Sequence, residues 1–219
     1  ANALGLARLA AGDVDGAVEA LHTAVAAQPR SLRPEGFAMA KANLAVAHER
    51  AGDAPRARLA ARQALAVAEA PDAVVEQSRG VVALLGADPG DLLAVLDTEP
   101  AQLWPVALRE EVVRWAAADP DERRDDARGW VEGQVARPER SEALAESWLS
   151  AVLELPRPDF DAVIATVLEA TAQVDSETAR RFRSQTTRAM ARLPVPQLLR
   201  VRNRFNDLAV ELGQEPAWS

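Results

Sequence analysis

Residues 4–24 read LGLARLAAGDVDGAVEALHTA and residues 44–64 read LAVAHERAGDAPRARLAARQA. A single shift of 40 lays Leu4-Gly5 and Ala7 on Leu44-Ala45 and Ala47, and Gly12-Asp13 on Gly52-Asp53. The same shift lays Ala17 on Ala57, Leu21 on Ala61 and Ala24 on Ala64. Each copy has the grammar of a helical hairpin. Glycine closes the first helix because the residue after a helix end often needs a left-handed backbone. Aspartate opens the second by accepting the free N–H groups of its first turn. Alanine at 17 and 57 lets two antiparallel helices approach closely. The spacing predicts hairpins over 1–11 and 14–27, then over 35–51 and 54–69.

Leu4-Gly5, Ala7, Gly12-Asp13, Ala17, Leu21, Ala24 and Pro29 resemble a tetratricopeptide repeat without its first few residues. Asn43-Leu44-Ala45, Ala47, Gly52-Asp53, Ala57 and Ala64 resemble a second. The resemblance covers about residues 1–70. It departs from the family in its spacing of 40 against the usual ~34, and the extra residues fall in Arg30–Gly36, as a longer loop or a longer helix. The resemblance implies a stack of antiparallel hairpins, an α-solenoid, whose first helices line a protein-binding groove. Carried over residue by residue, that groove would hold Asn2, Leu6 and Leu9 from the first repeat, and Met39, Asn43, Val46, Glu49 and Arg50 from the second. In the family's carboxylate clamp, paired asparagines and basic residues grip a peptide terminus. Here Leu6 and Asn2 stand where the first repeat would carry the asparagine and its basic neighbour, so the clamp is not expected and Asn43 reads as a helix-packing residue. Two arrangements remain open: a free groove, or one filled by later helices of the chain.

Outside the repeats, prolines and apolar stripes spaced three and four apart predict more helices. Val74–Leu85 would start a third hairpin. Pro89-Gly90-Asp91 starts a short helix to Leu96. The next stripes carry Trp104, Leu108, Val112 and Trp115; Ala127, Trp130, Val131 and Val135, restarting at Asp119-Pro120-Asp121; and Leu144, Trp148, Val152 and Leu155. Phe160 to Thr171, Phe182 to Leu193 (capped by Asp175 or Ser176) and Leu198 to Leu212 follow. About twelve helices are expected in all. The organisation expected is tetratricopeptide-like repeats over 1–88 and a helical region over 89–219, which either continues the solenoid or forms a bundle.

Composition agrees with an all-α fold. The chain has 219 residues, 48% hydrophobic and 4% aromatic, with no tyrosine and no cysteine. The apolar residues are mostly alanine, leucine and valine; alanine has the best helix propensity, and β-branched isoleucine is scarce. Without cysteine there are no disulfides, thiol catalysis or cysteine-held zinc, consistent with a reducing cytoplasm. No apolar run reaches the ~20 residues that cross a bilayer, and Arg8, Asp13 and Asp15 interrupt any signal-peptide pattern. Because the motif opens part-way through a repeat, residues upstream are expected. Lys41 is the sole lysine, a usage matching GC-rich bacterial genomes.

Net charge is −8, which disfavours general binding to nucleic acid or anionic membranes. One basic segment stands against it. From Thr178 to Asn206 there are eight arginines and no acid, and Arg181, Arg188, Arg192, Arg200 and Arg204 form a candidate basic face. It would bind an acidic partner, phosphate or nucleic acid, or dock on acids of the chain itself, such as Asp119, Asp121 and Glu122. No tryptophan or tyrosine interleaves to stack bases. The two histidines, His22 and His48, read as an exposed and a half-buried structural residue; no metal-ligand pair, phosphate loop or nucleophile elbow is present. Trp104, Trp115, Trp130 and Trp148 are expected in the core, whereas Trp218 lies on no stripe and carries no structural expectation. These features point to a protein- or peptide-binding scaffold, part of a larger bacterial regulator, with no catalytic residue and no cofactor. Self-association and an arginine-based nucleic-acid regulator are the alternatives.

Overall fold

The computed structural model describes residues 1–218. Among them are twelve α-helices, one 3-10 turn at Ala101–Leu103 and no strand. No helix among the described residues is long and apolar enough to cross a membrane. The chain forms two compact units, Ala1–Asp91 and a second from Leu92 onward.

The first unit holds α1 (Asn2–Ala10), α2 (Val14–Ala26), α3 (Pro34–Arg50), α4 (Ala54–Leu65) and α5 (Asp72–Leu85). Each helix packs on its neighbour in the chain, and α3 also lies against α1 and α5. The two Gly-Asp corners are the same structure built twice. Gly12 and Gly52 have φ of 82° and 76°. The Asp13 N–H donates to the Arg8 carbonyl and the Asp53 N–H to the His48 carbonyl, both at 2.9 Å. Asp13 then accepts from Gly16 N and Asp53 from Arg56 N, at 3.0 and 3.1 Å. Helix end, left-handed glycine and aspartate cap thus satisfy the orphan backbone groups in one step. Gly86 also has a positive φ of 77° after α5, but its N–H bonds to the Val82 carbonyl and no second bond of the Gly-Asp type follows.

Small residues let these helices close together. Ala17, Ala45, Ala57, Ala61 and Ala64 have no exposed surface. Where Ala45 faces Ala57 and Ala61 in the second hairpin, Gly5 faces Leu21 in the first, and a Cβ on Gly5 would sit 2.5 Å from Leu21 Cγ. A smaller residue on one helix answers a larger one on the other. The extra residues between the hairpins take both forms expected of them, a loop over 27–33 and a 17-residue α3. Leu4 and Leu44, equivalent in sequence, differ in burial: Leu44 is covered, while Leu4 is 52% exposed. The reason is that α3 has helices on both sides.

In the second unit α6 (Asp91–Thr98) leads into α7 (Trp104–Ala117), α8 (Pro120–Val135), α9 (Ser141–Leu153), α10 (Arg157–Gln173), α11 (Ser176–Met190) and α12 (Val195–Glu211). Proline occupies the first turn of α7, α8, α10 and α12, where its missing N–H costs nothing. Here each helix packs chiefly on the one two places further along: α7 on α9 and α9 on α11, α8 on α10 and α10 on α12. Two interleaved rows result, and chain neighbours touch little.

Within the mostly aliphatic core of this unit sits an aromatic centre. Trp115, Trp130 and Trp148 form a triangle with ring centroids 5.9–6.5 Å apart. Their indole nitrogens find no acceptor in the protein, at about 1–3 kcal/mol each. Burying a ring of roughly 150–250 Å2 at about 25 cal/mol per Å2 contributes about 4–6 kcal/mol, so burial wins. Beside the triangle, Arg114 is buried among acids. Its Nε donates to Glu111 at 2.9 Å, and its two Nη atoms donate to Glu122 at 2.8 Å and Asp126 at 2.5 Å. Burial opposes the Arg114 charge, but Glu111 and Asp126 outweigh it and hold the guanidinium above its ordinary pKa.

Trp218, for which the sequence carried no expectation, has a defined place. It is buried, with its ring 4.7 Å from that of Phe205 and 6.2 Å from that of Phe182. No periodicity marks it because the segment that carries it is not a helix.

Candidate peptide-binding face

Of the eight groove residues expected, the structure exposes some and buries others. Leu6 and Met39 are 43% and 42% exposed. Leu9 is not a groove residue: it is buried in the cluster of Ala17, Leu21, Leu44 and Ala47. Val46 is half-buried and packs against both that cluster and the neighbouring one of Ala45, Ala57 and Ala61. Arg50 is tied to the corner of the first hairpin, its Nη1 donating to the Leu9 carbonyl at 3.3 Å. Glu49, half-buried beside it, completes that end of the face.

Asn43 is the centre of an amide ladder. Its Nδ2 donates to Asn2 Oδ1 at 3.0 Å, and its Oδ1 accepts from Gln77 Nε2 at 3.1 Å. The ladder crosses α1, α3 and α5, one amide from each first helix. Asn43 is 8% exposed and its amide is committed on both sides, so its role is to register three helices. Gln77 was legible in the sequence and missed: it follows Asn43 by 34 residues, as Gly86 follows Gly52, the family's ordinary repeat length. The ladder is flanked by exposed apolar side chains. Leu6 lies one turn after Asn2, Met39 one turn before Asn43, and Leu84, 69% exposed, two turns after Gln77.

His48 is more buried than expected, at 5% exposure, with its ring 5.7 Å from that of exposed His22. Burial is the largest cause holding its pKa down to about 4; His22, Arg56 and Lys41 add to this, and Asp53 opposes it. Among the described residues no three His, Cys, Asp or Glu side chains converge in a metal-holding group.

The basic face is paired within its own unit, though not with the acids anticipated. Arg181 and Arg180 both hold Glu177. Arg188 and Arg192 reach Glu142 on α9 at 3.0 and 2.8 Å, and Arg192 also lies 3.5 Å from Glu146. Arg204 grips Asp161 on α10 with two nitrogens, at 2.7 and 3.1 Å. Arg200 lies over the Phe160 ring, 4.9 Å from its centroid. The acids named from sequence are engaged elsewhere: Asp119 caps α8, Asp121 pairs with Arg124, and Glu122 with Arg114. These counter-charges come from residues 43–50 positions away, or from Glu177 and Glu211 just outside the acid-free stretch.

Comparison with protein-family models, with curated proteins and with solved structures found no match in any of the three.

Proposed function

We propose that the first unit is a tetratricopeptide-like protein-interaction module that receives a peptide or helix of another protein along α1, α3 and α5. The observation that carries this reading is the Asn2–Asn43–Gln77 ladder bordered by exposed Leu6, Met39 and Leu84. Internally bonded amides hold three helices in register, and the apolar side chains beside them are left to a ligand. Such a face suits an amphipathic helix or an extended segment with apolar anchors. The repeated Gly-Asp corners support the resemblance from which the groove was derived.

The experiment is a peptide-display selection on the intact chain, followed by measured affinities against Leu6→Glu and Met39→Glu. Selected peptides are expected to lose at least tenfold in affinity on both variants, with far-UV circular dichroism unchanged. Peptides that bind all three proteins equally would overturn the assignment of this face. The nucleic-acid alternative is less favoured, because five arginines of its segment already face carboxylates; a gel-shift at low salt tests it. Light scattering across a concentration series tests self-association.

A further inference from the structure

The segment after α12 is held in a way the helices are not. Gly213, with φ of 71°, turns the chain out of the helix, and Glu215, Pro216 and Ala217 are exposed. Beyond the helix-end bonds of the Gly213 and Gln214 N–H groups to the Val210 and Ala209 carbonyls, at 3.0 and 2.7 Å, attachment is at two points four residues apart. At the first, Gln214 Nε2 donates to the Leu168 carbonyl on α10 at 3.3 Å. At the second, Trp218 is 2% exposed and sits between Phe182 of α11 and Phe205 of α12. Beside it the Asn206 carboxamide meets the backbone of the same residue twice. Its Oδ1 accepts from the Trp218 N–H at 3.2 Å, and its Nδ2 donates to the Trp218 carbonyl at 3.5 Å.

A carboxamide that satisfies both the N–H and the C=O of one residue reads peptide backbone and is indifferent to side chain. Selectivity then falls to the aromatic seat, which fits a large flat ring. The spacer between the anchors contributes no buried side chain, and its own bond, Ala217 N–H to the Glu215 carbonyl at 2.9 Å, is local. We propose that Phe182, Phe205 and Asn206 form a binding site for an extended, tryptophan-anchored peptide. In the single chain residues 214–218 occupy it in cis; a second copy of the chain supplies the same segment in trans when the cis one is withdrawn. This site is separate from the amide-ladder face and stands or falls independently of it.

Effective concentration sets the form of the test. A tether of a few residues presents the cis segment at about millimolar concentration, so an added peptide competes poorly with it. The probe is a fluorescein-labelled, end-capped peptide of residues 213–218, read by anisotropy against the full chain. Trp218→Ala is expected to bind it saturably, at least tenfold more tightly than the wild type. Asn206→Leu in the Trp218→Ala background is expected to abolish that binding, as is replacing the peptide's tryptophan by alanine. Unlabelled wild-type chain is not expected to compete, whereas excess unlabelled peptide is. If Trp218→Ala loses helicity, Trp218→Leu replaces it, since a smaller apolar side chain still covers the seat; it too must bind more tightly than wild type. A folded Trp218→Ala or Trp218→Leu protein with no saturable binding at millimolar peptide would overturn the proposal, as would binding that survives Asn206→Leu. Either result would make Trp218 a fixed part of the core.

Discussion

In the first unit Ala45 meets Ala57 and Ala61; in the second Trp115 meets Trp130 and Trp148. Alanine brings backbones close and suits helices that follow one another through a short turn, so the first unit is a stack of chain neighbours. Its stability is spread over many small contacts, each fixed by a local corner. Tryptophan fills wide gaps, and in the second unit the triangle spans α7, α8 and α9, joining helices two places apart and chain neighbours whose backbones touch little. To a buried aliphatic core this unit adds a few large rings and a buried ion cluster. The same composition-level label, all-α and alanine-rich, thus covers two different ways of burying a helix. The units can also be watched separately: all five tryptophans lie in the second, so indole fluorescence reports that unit, while circular dichroism reports both.

That contrast can be broken or sharpened by substitution. The largest effect is expected from Trp130→Ala, which leaves a cavity between two other indoles. It should cost about 3–5 kcal/mol, seen as an earlier fluorescence transition in urea with an early phase in circular dichroism. Coincident transitions shifted by under 1 kcal/mol would show that the triangle is not the anchor of its unit. Arg114→Leu comes next, at about 3 kcal/mol or more, since Glu111 and Asp126 would keep buried charge without their guanidinium. A loss under about 1 kcal/mol in the fluorescence transition would show that the buried acids do not depend on Arg114.

Overpacking tests the alanine side. Ala57→Leu should cost about 1–3 kcal/mol, read from the circular-dichroism transition in urea. Caps follow: Asp13→Ala and Asp53→Ala should each cost about 1 kcal/mol, with Asp53→Ala the costlier, because Asp53 also pairs with Arg56 at 2.6 Å whereas Asp13 lies 3.7 Å from Arg8. No measurable loss from either variant would break the shared cap on which the repeat reading stands. The smallest effect at neutral pH is that of His48. Its folded pKa lies near 4 and its unfolded value near 6.5, so the folded state favours neutral imidazole. The associated stability is full above the unfolded value and is lost as pH falls from about 6.5 towards 4, with a slope of at most about 1.4 kcal/mol per pH unit. His48→Gln should flatten that part of the profile.

Legibility followed the range of the interactions. The hairpin corners could be read because glycine and aspartate act within five residues, and prolines and Asp119 and Asp175 marked helix starts for the same local reason. Core tryptophans 104, 115, 130 and 148 were legible because helical periodicity places them on stripes. Leu9 was assigned to a groove on family analogy, and its burial depends on Leu44 of another hairpin. Gln77 went unread although its distance from Asn43 was available.

What the residues determined alone was local: helices, their ends, and two equivalent turns, all set by backbone conformation and capping over a few positions. Tertiary structure decided the rest. Only it brings Glu142 to Arg188 and Arg192, Asp161 to Arg204, and Trp218 to Phe182 and Phe205. Charge pairing and aromatic burial act through space, and a sequence carries no local mark of which distant residue will answer an arginine or cover a ring.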